Sequence, residues 1–160
     1  MNHVQLTEDQ VRFIQGRVSI VAASRDVRRV PSVARAAGCR VTASREAITL
    51  LLPTLQCQQL LADIATTRTL AVVFTEPSTH RTQQFKGSDA QETPLEAGDR
   101  DLAAAHNLGF AGAIMPLGYS RELALGVHDV PDDRLTAVTF HVDAVFEQTP
   151  GPKAGVKVSQ

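Results

Sequence analysis

The sequence predicts a mainly β fold, a small antiparallel barrel with flanking helices, and three observations predict it. Six short stretches of strand-like composition occur in the order helix, three strands, helix, two strands, helices, strand. The first three are separated by charged or polar turns, so two hairpins follow one another and favour an antiparallel meander. The chain has 160 residues, 43% hydrophobic and 21% charged, which suits one globular domain (1–160) with no linker and no internal repeat.

Thr7 opens the first helix: Gln10 completes a capping box, Leu6 can staple against Val11, and Gly16 stops the helix after Ile14. Residues 17–24 are rich in β-branched side chains and read as a strand, with a charged turn at 25–29. Pro31 starts the next extended segment, read as a single strand over 32–41. A polar break at 42–46 leads to a third strand at 47–52. Pro53 and Thr54 open a helix with Leu60, Leu61 and Ile64 on one face. Residues 70–75 form a continuous apolar run of strand length, which predicts burial on both faces. A loop at 76–80 connects to the polar strand 81–87, where flanking Phe74 and Phe85 suggest a lined groove. The Ala-rich stretch 96–117 predicts a helix weakened by Gly109, Gly112 and Pro116. Ser120 caps a short helix over 121–127, a turn follows at 130–133, and 136–142 alternates as the last strand. The tail from about 149 is irregular.

Composition narrows the function. The net charge of −1 offers no broad field for nucleic acid or anionic lipid, so any anion must be caught by a few placed groups. With 6 Phe, 1 Tyr and no Trp, a bound ring has no tryptophan platform. Cys39 and Cys57 make neither a disulfide scaffold nor a zinc motif. The N-terminus does not resemble a signal peptide, and no apolar stretch spans a bilayer, so a cytoplasmic protein with reduced thiols is expected. No dinucleotide fingerprint, P-loop or nucleophile elbow occurs. His3, His80, His106, His128 and His141 form no i, i+4 pair, so no metal site is predicted, and His106 and His141 read as structural.

Three stretches in sequence order carry a resemblance: residues 16–24 (GRVSIVAAS) with 31–39 (PSVARAAGC), 71–74 (AVVF) leading into 79–87 (THRTQQFKG), and 145–155 (VFEQTPGPKAG). Together they resemble the pyridoxamine 5′-phosphate oxidase-like proteins, over nearly the whole chain. The resemblance implies a six-stranded antiparallel split β-barrel of the FMN-binding type, a homodimer, and FMN at the subunit interface. Arg35 matches the arginine that holds the cofactor phosphate in that family, with Ser32 on the same strand. Gln58 and Gln59 stand where relatives carry a basic pair. They donate hydrogen bonds but supply no charge, and Arg81 can compensate, alongside Thr79, His80 and Thr82. Thr82 is nearest the register of a flavin-contacting glutamine, and Gln84 shares its face two residues on.

The resemblance implies an FMN-dependent oxidoreductase in which the flavin carries the redox chemistry, acting on a small molecule and needing no dedicated catalytic acid or base. The basic substrate-phosphate residues of pyridoxamine 5′-phosphate oxidase proper are not evident, so vitamin B6 synthesis is not expected. The alternative is a non-catalytic flavin- or haem-binding protein on the same barrel, which the missing basic pair favours.

Overall fold

A computed structural model describes residues 3–127 and 134–158, so His128 and the turn expected at 130–133 lie outside the described residues. Helix α1 (Glu8–Ile14) starts on the expected capping box: Gln10 N–H donates to Thr7 Oγ1 (3.2 Å), and Thr7 N–H donates to Gln10 Oε1 (2.8 Å). Strand β1 (Ser19–Arg25) turns on Asp26, whose Oδ1 accepts from the N–H groups of Arg28 and Val30, both at 2.8 Å.

The expected strand at 32–41 is two strands, β2 (Pro31–Arg35) and β3 (Gly38–Val41). The break falls at two buried alanines: Ala36 N–H donates to Ile20 O in β1, and Ala37 N–H donates to Leu51 O in β4 (Ala47–Pro53). The chain thus changes partner across one peptide. The sheet has seven strands rather than six, completed by β5 (Leu70–Thr75), β6 (Thr82–Thr93) and β7 (Leu135–Glu147). The order is β2-β1-β5-β6-β7-β4-β3, antiparallel throughout. Its two edge strands are separated by only two residues in the chain, so the sheet must curl until its edges approach.

The inner face carries Ile20, Ile48, Leu50, Val72, Phe74, Phe85 and Phe140, all fully buried. Phe74 and Phe85 meet edge to face at 5.3 Å, so they belong to the core and do not line a groove. Leu60 and Ile64 from α2 (Gln58–Thr67) enter the same core. Burial on both faces belongs to β4, whose seven residues are all buried; β5 alternates instead. Helix α3 (Asp99–Ile114) runs unbroken through Gly109 and Gly112, and Pro116 lies in a 3₁₀ turn (Met115–Leu117). Helix α4 (Arg121–Gly126) starts on the Ser120 cap.

β6 and β7 are longer than predicted and pair along most of their length, with irregularities at Lys86/Gly87 and Ser88/Gln91. A Cβ at Gly87 would collide with His141 O and Phe140 Cδ2. Gly87→Ala is expected to cost about 2–3 kcal/mol, read as a lower urea midpoint at unchanged m-value.

Candidate functional site

Side chains alternate across a strand, so the outer face of the sheet is fixed by parity once the register is known. One row across it is Arg35, Val21, Val73, Gln84 and Phe146. The next is Ser19, Thr75 and Thr82. On the other side lie Val33, Ala23, Ala71, Lys86 and Ala144. The centre of this face is therefore small and apolar, with polar groups around it. It is only partly covered: Val21, Ala23, Ala71 and Val73 are half-buried, and Val33 is 64% exposed.

Arg35 is exposed, its Nη1 donates to Ser19 Oγ at 2.8 Å, and among the described residues no carboxylate pairs with it. The first turn of α2 is tied to its strand, because the Cys57 thiol donates to Arg35 O at 3.8 Å. Cys57 gives no side-chain cap, so Gln58 and Gln59 begin a helix whose first N–H groups lack a side-chain acceptor there. Gln59 Nε2 donates to Asp63 Oδ1 at 3.0 Å.

The other expected residues are distributed differently. Ser32 is on the opposite face of β2 from Arg35, buried, its Oγ without a hydrogen-bond partner among the described residues. Arg81 pairs with Asp9 on α1, its guanidinium 4.3 Å from the Phe13 ring centroid. The Arg81 hydrogen bond and charge hold the Asp9 carboxyl below its ordinary range. Thr79 donates to Glu76 and accepts from Arg81 N–H. Thr82 Oγ1 donates to His80 O at 2.9 Å and lies 3.2 Å from the Thr75 hydroxyl, while Gln84 is half-buried on the outer face.

A cleft of about 560 Å³ opens where this face meets α3 and α4. Ser19, Arg35, Thr75 and His80 form its polar side, and Phe110, Ile114, Leu117 and Leu123 are among its apolar walls. His80 is held in the left-handed region (φ 62°) by the turn between β5 and β6. Ser19, Thr75 and Tyr119 are lining residues that the sequence reading did not single out. Tyr119, the single tyrosine, was the one signal available.

Both cysteines are free thiols, and burial pushes Cys39 up to about 12 and Cys57 up to about 11, so neither supplies a nucleophile. Burial also lowers the pKa of His106 on α3. The unfolded chain then takes up this proton first, so stability is full above about 6.5 and is lost as pH falls through the lowered folded-state value. His106→Gln is expected to flatten the pH dependence of the urea midpoint between pH 7 and 5.

No family model matches the chain, and no curated protein matches its sequence. Solved structures do match. HupZ from Group A Streptococcus is 16% identical with a TM-score of 0.58, over 94% of this chain and 100% of that one. A candidate pyridoxamine 5′-phosphate oxidase from Lactobacillus delbrueckii is 15% identical with a TM-score of 0.55, over 91% and 99%. HutZ, described as the haem storage protein of Vibrio cholerae, is 13% identical with a TM-score of 0.50, over 90% and 95%. At these identities the likeness is one of fold. Among the described residues, no helix is long and apolar enough to cross a membrane.

Proposed function

We propose that the chain, with the split-barrel fold of the pyridoxamine 5′-phosphate oxidase-like proteins, binds FMN on the outer face of its sheet. The cofactor would be shared at a homodimer interface, and the protein would act as a flavin-dependent oxidoreductase on a small-molecule substrate. The observation that carries this reading is Arg35, an exposed guanidinium with no carboxylate partner among the described residues, at the rim of a small, apolar, half-covered face. Arg35 and Gln84 are three strand spacings apart, about 14 Å, too far for one small anion to engage both. A molecule with a phosphate at one end and a polar-edged ring at the other matches that span.

FMN supplies hydride or electron transfer when bound, and the protein's task is binding and orientation. Arg35 would hold the phosphate by charge-assisted hydrogen bonds, with Gln58 and Gln59 donating from the uncapped first turn of α2. Thr82 and Gln84 would meet the polar ring edge, and Val21, Ala23, Ala71 and Val73 the ring's face. A second copy would cover Val33 and close the site. Thr79, Arg81 and Ser32 are supporting positions, since each is engaged in the turn, with α1, or on the inner face. We assign the protein to the cytoplasm, in keeping with its free buried thiols.

A second reading, a non-catalytic haem-binding protein, is favoured by one observation: His80 and Arg35 share a cleft with an otherwise apolar wall. An imidazole for iron and a guanidinium for a propionate fit that composition. The visible spectrum after incubation with FMN or haem separates the two. Protein-bound flavin bands, bleached by NADH or NADPH, support the oxidoreductase; bound flavin without reduction supports a carrier, and a Soret band the haem protein. Uptake of neither would overturn both.

A further inference from the structure

The two histidines that read as unrelated in sequence, His3 and His141, lie ring on ring, with centroids 4.4 Å apart and planes at 25°. The N-terminal segment is laid along β7 by Val4 N–H donating to Val142 O at 2.7 Å, which brings His3 over His141. Asp89 reaches the same place from β6. It stands in the irregularity between Ser88 and Gln91, where its left-handed backbone (φ 56°) redirects the side chain next to Ser88, the pairing partner of His141. One ligand atom from each of His3, Asp89 and His141 lies within 4.8 Å of the others.

From this geometry we infer a binding site for a zinc-class divalent transition metal, formed by His3, His141 and Asp89. Two imidazoles and a carboxylate are a borderline donor set that suits such ions, with water in the fourth position. Tetrahedral bonds of about 2.0–2.2 Å place donors about 3.3–3.6 Å apart, so the widest separation must close by up to roughly 1.5 Å. Asp89 is exposed and His3 is half-buried, so side-chain rotation supplies that closure. Two further observations point to a ligand. The Nδ1 of His141 is buried with no hydrogen-bond partner among the described residues. Asp143, two residues along on the same face of β7, is 3.2 Å from Nδ1 of His3. As an acceptor there it would leave the lone pair on Nε2, the carboxylate–histidine arrangement that orients metal-binding imidazoles. Among the described residues, the cation paired with Asp89 is Arg68, at 3.7 Å on the surface, and it leaves a carboxylate oxygen for the ion. Bound metal would clamp the N-terminal segment to the β6–β7 ribbon.

Calorimetric titration of the untagged protein with zinc chloride tests the site, and it is independent of flavin binding. One zinc per chain is expected. His3→Ala and Asp89→Asn, both at the periphery of the core, should each weaken binding at least tenfold, and Asp143→Asn by about tenfold. Unchanged circular dichroism would show that these variants still fold. No stoichiometric uptake by the wild-type protein, or affinity unchanged in His3→Ala and Asp89→Asn, would overturn the inference.

Discussion

Arg40→Met is expected to lower the stability of the protein by about 3–5 kcal/mol, because it strands a buried carboxylate. Asp99 is 2% exposed at the start of α3, and its Oδ1 accepts from Arg40 Nε at 3.0 Å. Its Oδ2 accepts from Glu96 N–H at 2.8 Å, and Arg40 Nη1 also reaches Glu96 at 2.8 Å. Without the guanidinium, Asp99 keeps its hydrogen bond and the helix dipole but has lost its counter-charge. The melting temperature should fall by roughly 6–20 °C for a chain of this size. Adding Asp99→Asn to Arg40→Met should recover much of the loss, since the stranded charge is then gone. A loss below about 1 kcal/mol for the single variant would mean that this pair does not hold α3 to β3. The consequence reaches the cleft, because Phe110 and Ile114 at the far end of α3 form its apolar wall.

Arg35→Ala is expected to weaken FMN binding by about 1.5–3 kcal/mol, the usual worth of a charge-assisted contact, or roughly 12- to 150-fold. Arg35 is exposed and bonds a surface hydroxyl, so unchanged circular dichroism of the variant assigns the loss to binding. Arg35→Lys should fall between the two, keeping the charge and losing the planar fork. Equal affinity for all three proteins would remove Arg35 from the site.

Several features were legible in the sequence because their signals are local. The capping box of α1, the Ser120 cap of α4 and the shared parity of Thr82 and Gln84 are of this kind. Others depend on tertiary pairing. Between Ser32 and Val41 the one local hint of a break is Gly38, at the start of β3; Ala36 and Ala37 are neither turn formers nor polar, and the partner switch there is set by β1 and β4. The polar stretch 88–93 has no alternation and becomes strand through pairing with β7. Ser19 and Thr75 join Arg35 only through a register that no short window of sequence contains. Arg81 was expected at the cofactor, yet Asp9 and Phe13 on α1 hold it, a contact spanning most of the first half of the chain.

Titrating the untagged protein with FMN and following flavin fluorescence shows whether the outer sheet face, shared between two copies, is an FMN site. Saturation at one FMN per chain is expected. Folded protein that gives no saturable change in flavin signal would contradict it.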